Sequence, residues 1–138
     1  MKRYLALPLF MALMAASAPP VTVEAATGDW SKLPQLSQRG YNHLNTKMMV
    51  RLHEIASHGE CRLPGYLGNR LDLRLSFAAQ FDPDGTLRRV VIPKLDCPEA
   101  EGIVGGALLE MMQGGDYRPT GRNPDGWYQG SFTFGFEG

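Results

Sequence analysis

Two cysteines, Cys61 and Cys97, are the residues of this 138-residue chain whose type most readily carries chemistry. A thiol can act as a nucleophile beside a histidine, ligate a metal ion, or join a second thiol in a disulfide. Neither cysteine lies in a sequence context typical of a nucleophile. The choice among these chemistries therefore depends on the compartment in which the chain folds.

The N-terminal residues 1–25 are predicted to be a secretory signal peptide. Lys2 and Arg3 form a positive start, and an almost unbroken apolar run follows over Tyr4–Ala16. The run of roughly 15 residues is shorter than the ~20 that span a bilayer as a helix. No stable membrane anchor is therefore expected after cleavage, and an uncleaved anchor is the alternative interpretation.

The cleavage site is placed after Ala25. Val23 and Ala25 supply small residues at the third and first positions before the cut, whereas a cut after Ala18 would leave a proline directly behind it. An exported chain folds in an oxidising compartment, where an even number of cysteines favours a disulfide. The sequence thus predicts a Cys61–Cys97 disulfide, which typically contributes ~2–4 kcal/mol to stability.

The remaining residue types that could bind a metal ion have the wrong spacing. No two of His43, His53 and His58 are three or four residues apart, so they do not share a helix face as ligands would. The Asp82–Gly85 stretch resembles part of a calcium loop but lacks the further oxygen ligands and the closing glutamate. We assign no metal-binding residue and no cofactor.

Composition and motifs indicate a protein that is neither an enzyme nor a nucleic-acid binder. Fourteen basic residues balance fourteen acidic ones, without the basic surplus typical of nucleic-acid binding. The chain has no Ser-His-Asp pattern, nucleophile elbow or phosphate-binding loop. We assign no catalytic residue, although a pair of catalytic carboxylates would leave no sequence signature.

The first half of the exported chain contains one predicted helix and one hairpin. Residues 26–36 are predicted to be a flexible lead-in, and residues 37–138 a single domain. Apolar residues at three- and four-residue steps predict a helix over Ser37–His58, closed by Gly59. Strict alternation predicts a strand over Leu71–Phe81, and the turn after it leads into a strand over Leu87–Lys94 that ends near Pro93.

The second half contains a helix and a last strand. The helix is expected to begin with Asp96 as its cap, Pro98 in its first turn and Glu99 as the partner in a capping box, and to end at Gly114-Gly115. Gly105-Gly106 in its middle indicates close packing on a neighbour. The predicted fold class is α+β, a three-stranded antiparallel sheet with two helices packed on one face in the order α-β-β-α-β.

The last strand, Trp127–Phe136, is the candidate binding element. Aromatic side chains share one of its faces, and at the sheet edge its backbone N–H and C=O groups could accept a strand from a partner. Its aromatic residues could equally be core, and both roles are compatible. The predicted partner-binding residues are Trp127, Tyr128, Gln129, Ser131, Thr133 and Phe134.

Two stretches resemble a known superfamily, the periplasmic C-terminal domains of TonB and TolA. Leu73–Leu87, LRLSFAAQFDPDGTL, is similar to the hairpin of that family, whose turn reads PDG. Gly115–Pro119, GDYRP, is similar to its conserved stretch after the helix, matching at Tyr117 and Pro119. The leading helix and the paired cysteines look more like TolA, and the aromatic last strand looks more like TonB.

The resemblance implies a periplasmic, non-enzymatic α/β domain that binds partners by strand addition and is linked to outer-membrane transport in Gram-negative cells. The implied partner is a protein or extended peptide, such as an outer-membrane receptor or a Tol–Pal-type component. Two alternatives stay open. One is an energy transducer anchored by a retained N-terminal helix, and the other is a small secreted enzyme or enzyme inhibitor.

Overall fold

The architecture is a mixed sheet with two helices, seen in a computed structural model that describes residues 20–39, 46–67 and 70–137. The apolar run of the predicted signal peptide and the residues 40–45 of the predicted first helix lie outside the described residues. The strands and helices, in chain order, are β1 (Thr22–Ala25), β2 (Ser37–Gln38), α1 (Thr46–Ser57), β3 (Tyr66–Leu67), β4 (Arg70–Phe81), β5 (Leu87–Ile92), α2 (Pro98–Gln113), β6 (Tyr117–Arg118) and β7 (Trp127–Glu137).

The sheet contains more strands than the sequence predicts. Five strands form one sheet around β4, with β5 and β3 along one edge of β4, β7 along the other, and β1 outside β5. A separate two-stranded sheet joins β2 to β6. The three-stranded, purely antiparallel sheet was therefore wrong in detail, since β1 runs parallel to β5. The additional strands have four residues at most, too few for alternation to reveal them.

The predicted hairpin is confirmed. β4 pairs antiparallel with β5, and the turn between them closes with the Gly85 N–H donating to the Asp82 carbonyl at 2.8 Å. Asp84 accepts from the Thr86 N–H at 2.9 Å, which lowers the pKa of its carboxyl. Asp82 and Asp84 thus both accept hydrogen bonds within the turn. β5 ends at Ile92, directly before Pro93, as expected.

One hydrophobic core lies between the helices and a single face of the sheet. Alternate residues of β4 point into it, among them Leu73 and Phe77 at 1% and 0% exposure, while Arg74 and Ser76 between them are exposed. Leu52 and Ile55 of α1 join the same core, as do the buried residues of α2. The two helical stripes and the alternating strands predicted from sequence thus bury their apolar sides against one another.

The starts of both helices differ from prediction. α1 is described from Thr46, and Ser37–Gln38 belongs to β2 instead of the helix. At α2 the N-terminal cap position is Cys97, and Asp96 has a φ of 53°, so Asp96 makes no cap and no capping box forms with Glu99. Pro98 in the first turn and the end of the helix before Gly114 are confirmed.

A disulfide joins the end of α1 to the start of α2. Cys61 and Cys97 are bonded with their Cα atoms 5.7 Å apart, as the sequence predicts. Gly59 closes α1 with a φ of 70°, and the Glu60 N–H donates to the Ile55 carbonyl at 3.1 Å. The cross-link therefore fixes the two helix ends that face each other over the sheet.

Arg51 of α1 reinforces this junction with charge. Its guanidinium donates to both carboxylate oxygens of Glu99, at 2.6 and 2.8 Å, and also reaches Glu54 at 3.3 Å and Glu60 at 3.2 Å. The hydrogen bond from Arg51 holds the pKa of Glu99 below its ordinary value of 4.5. The bidentate contact explains why Glu99, expected to cap α2, turns to α1 instead.

Replacing Glu99→Gln tests this contact through pH. Because the folded state lowers the pKa of Glu99, its stabilising contribution is complete above 4.5 and is lost as pH falls through the folded-state pKa. The variant is expected to unfold at lower urea concentration than the parent at about pH 7, and the difference should shrink at about pH 3. Glu110→Gln, the same charge change on the same helix, is the control. A difference between parent and Glu99→Gln that stays constant with pH would contradict the role of Arg51.

Candidate partner-binding edge

β7 forms the outer strand on one side of the sheet. It pairs antiparallel with β4 along its whole length, from Trp127 opposite Gln80 to Glu137 opposite Arg70. Among the described strands, β4 is the only one that pairs with β7. The predicted last strand therefore lies where strand addition needs it, with one row of backbone groups facing away from β4.

The first part of that outer edge is occupied by residues 31–36. Gln129 donates its N–H to the Pro34 carbonyl at 2.9 Å and accepts from the Leu36 N–H at 2.7 Å. Its side-chain amide donates to the carbonyls of Ser31 at 3.0 Å and Leu33 at 2.6 Å. Gln129, predicted to bind a partner, thus binds the segment predicted as lead-in.

Residues 26–36, which we call the crossing segment, connect the two edges of the sheet on the face opposite the helices. The segment starts with Ala26 bonded to Ile92 of β5 and reaches β7, where Ser31 and Leu33 accept from the Gln129 side chain. Ala78 and Val91 point to that same face and are only 0% and 6% exposed. Both residues are therefore covered on the face that lacks the helices, the face on which Ser31 and Leu33 bond to the Gln129 side chain.

The carbonyl next along the edge is held by a tyrosine. The Tyr117 hydroxyl donates to the Ser131 carbonyl at 2.9 Å, and its ring meets Phe77 edge-on at 5.1 Å. The Phe77 ring in turn lies against Gly130, where a Cβ atom would come within 2.5 Å of it. Packing across the sheet thus positions the hydroxyl that closes this part of the edge.

Beyond Ser131 the described strands leave the outer edge open. Gln129 and Ser131 direct backbone groups outward, so the two-residue alternation of an antiparallel ladder directs those of Thr133 and Gly135 outward as well. Both residues are exposed. Thr133 pairs with Arg74 and Phe134 with Leu73 on the β4 side. We call residues 131–137 of β7 the open edge; its first carbonyl, that of Ser131, is bonded to the Tyr117 hydroxyl.

The two aromatic residues at the start of β7 have structural partners. Tyr128 is buried, with its hydroxyl donating to the Gly121 carbonyl at 2.6 Å and accepting from the Asn123 N–H at 3.1 Å. Trp127 lies on the opposite face, where the Arg89 guanidinium is 5.4 Å from its ring centre. Of the six predicted binding residues, Ser131, Thr133 and Phe134 belong to the open edge, whereas Trp127, Tyr128 and Gln129 precede it.

The described residues hold no group of three or more histidine, cysteine, aspartate or glutamate side chains placed to bind a metal ion. His53 stacks edge-on with Tyr66 at 5.8 Å, and His43 lies outside the described residues. Within the described part of the chain, no helix has the length and apolar character needed to cross a membrane.

Comparison with known proteins returned no match of this chain to a family model, a curated protein or a solved structure.

Gln129→Ala tests whether residues 31–36 hold the first part of the edge. The variant loses two side-chain hydrogen bonds, worth about 0.5–1.5 kcal/mol each, while its backbone bonds to residues 34 and 36 remain possible. We expect the Leu36 amide to exchange with deuterium several-fold faster than in the parent chain. Thr133→Ala, on the same strand and face, is the control and should leave that rate unchanged. An unchanged rate in Gln129→Ala would contradict the tether.

Proposed function

We propose that this protein is a non-enzymatic, periplasmic protein-binding module of the TonB/TolA C-terminal type. It docks an extended partner peptide by strand addition at the open edge, residues 131–137 of β7. The partner class is a protein with an exposed extended segment, such as an outer-membrane receptor or a Tol–Pal-type component. In this role the module takes part in transport across the outer membrane.

The observation that carries the proposal is the unequal occupation of the two halves of β7. At Gln129 the edge already binds an extended segment of its own chain, through a parallel bridge with Gln35. From Thr133 onward the same kind of outward groups have no strand partner among the described residues. The open edge thus continues a surface on which strand addition is already realised.

The affinity expected from this edge is modest. Thr133 and Gly135 each offer one outward N–H and one outward C=O, and each backbone hydrogen bond contributes ~0.5–1.5 kcal/mol. Association and ordering of the peptide oppose this gain. A transient complex follows, and side chains beside the edge, among them Thr133 and Ser131, supply its selectivity.

The disulfide supports the proposed compartment. A Cys61–Cys97 bond that ties α1 to α2 is compatible with folding in an oxidising environment. The signal peptide predicted over residues 1–25 supplies the route, and the hairpin that resembles the TonB and TolA domains forms as expected. Together these features favour the periplasm.

Thr133→Pro tests the open edge directly. Proline removes an N–H that points away from β4, so the ladder to β4 is retained while a partner strand loses its donor. A photo-crosslinking residue at Ser131 is expected to form a discrete adduct with a partner in the cell envelope of a Gram-negative host, and Thr133→Pro should abolish that adduct. Mass spectrometry of the adduct identifies the attached peptide.

The matched control is Thr133→Val, which keeps both the branched shape and the N–H. This variant should form the adduct at the parent level, and the same crosslinker at exposed Glu110 on α2 should form none. An adduct of equal yield with Thr133→Pro and Thr133→Val would overturn the proposed docking mode.

A further inference from the structure

The edge of β5 that faces away from β4 is filled by a segment of the predicted signal peptide. β1 pairs with β5 in parallel, from Thr22 opposite Arg89 to Ala25 opposite Ile92. The Ala26 N–H then donates to the Ile92 carbonyl at 2.9 Å. Because β1 ends at the predicted cleavage site, cleavage after Ala25 removes the whole strand and exposes this edge of β5.

We call the place beside β5 that β1 occupies the seat. The side of the seat that faces the helices accepts apolar side chains. Val21, just before β1, and Ala25 at its end are partly buried against the core. Val23 lies between them and is 36% exposed, with its side chain against α2 at a place where the helix has a glycine. A Cβ atom on Gly105 would come within 2.7 Å of Val23 Cγ1, so Gly105 makes the room that a branched side chain needs. The close packing predicted for Gly105-Gly106 is thus found at Gly105, against β1, and not at Gly106, where an added Cβ would meet nothing within 4 Å.

A groove extends the seat at the upstream end of the strand. It has a volume of about 570 Å³, and Val21 lines it together with Leu87, Met112 and Tyr117. Removal of the segment before Ala26 takes Val21 out of this groove. The edge then offers a place for an apolar side chain two residues before the one that meets Gly105.

The outer side of the seat selects for a negative charge. The Glu24 carboxylate forms an ion pair with the Arg89 guanidinium on the face opposite the helices. Arg89 is held over this face by the ring of Trp127, 5.4 Å from its guanidinium carbon. After loss of Glu24, Arg89 stays beside the vacated edge, where an acidic side chain of a bound strand would meet it.

We propose that, in the processed protein, the exposed edge of β5 binds an extended segment of another protein as a strand parallel to β5. The segment follows the pattern of Val21–Ala25. Its first residue is apolar, its second is of any type, its third is apolar and of the size of valine, its fourth is acidic and its fifth is small. The site goes beyond the proposed function, since it is a different edge from β7, and it depends on cleavage after Ala25. Before cleavage the chain's own segment fills it.

The experiment uses protein exported and processed in a Gram-negative periplasm, with its N-terminus read from the intact mass. The probe is a labelled synthetic peptide of residues Pro20–Ala25, PVTVEA, which are the residues that cleavage removes, and it is titrated by fluorescence anisotropy. A chain that starts at Ala26 and binds the peptide saturably is the expected result. Thr133→Pro should leave this affinity unchanged, which separates the site from the open edge of β7.

Two adjacent glycines of α2 provide matched variants. Gly105→Ala should weaken peptide binding at least about tenfold through overpacking. Gly106→Ala, whose added Cβ meets nothing within 4 Å, should not. A Cβ on Gly105 lies 4.0 Å from Ile92 Cδ1, an ordinary contact, so the processed variant is expected to fold. The peptide with Val23→Ala should regain affinity for Gly105→Ala, and the peptide with Glu24→Lys should prefer Arg89→Glu over the parent.

Three results would overturn the proposal. A processed chain that retains Thr22–Ala25 would show that β1 belongs to the final fold. Absence of saturable binding by a chain that starts at Ala26 would show that the vacated edge is not a peptide site. Equal loss of affinity in Gly105→Ala and Gly106→Ala, without rescue by the Val23→Ala peptide, would show that the peptide does not lie over Gly105.

Discussion

The hydrogen-bonding capacity of strand edges is the constraint on which this structure depends. β4 is paired on both sides, which moves the unsatisfied backbone groups outward to the far edges of β5 and β7. Before the predicted cleavage, the N-terminal segment binds at both places, because β1 covers β5 and residues 34–36 bond to Gln129 on β7. What remains uncovered by described strands is the open edge, and the proposed function follows from it.

The two helices are joined to each other over one face of the sheet. The disulfide and the Arg51–Glu99 contact join the end of α1 to the start of α2, on the side of the sheet away from the crossing segment. Their apolar stripes cover the inward residues of β4, so the register between β4 and β7 is fixed by burial. In the proposed function, a partner strand at the open edge would meet backbone groups of β7 whose register is fixed in this way.

Local patterns in the sequence predict much of this fold. Alternation over Leu71–Phe81 predicts β4, and the turn residues at 82–85 predict the hairpin. Two cysteines in a chain with a predicted signal peptide predict the disulfide, and the structure contains all three features. Strands of two to four residues carry too few alternations to be recognised, and their pairing depends on distant partners. Asp96 fails as a cap because its backbone has a positive φ and the extended cap position falls on Cys97, while Arg51 bonds the Glu99 carboxylate on the side of α1.

For the candidate site, the sequence predicts the strand but not which part of its edge is open. The alternation of aromatic residues predicts β7 and suggests that it lies at an edge. Nothing in the sequence shows that the Gln129 side-chain amide donates hydrogen bonds to the carbonyls of Ser31 and Leu33. Amide hydrogen exchange of the disulfide-bonded protein at single-residue resolution tests the central claim most directly. The account predicts fast exchange at Thr133 and Gly135 and strong protection at Phe132 and Phe134, whose amides face β4. Equal protection at all four would mean that the protein's own chain closes the edge, which contradicts the account.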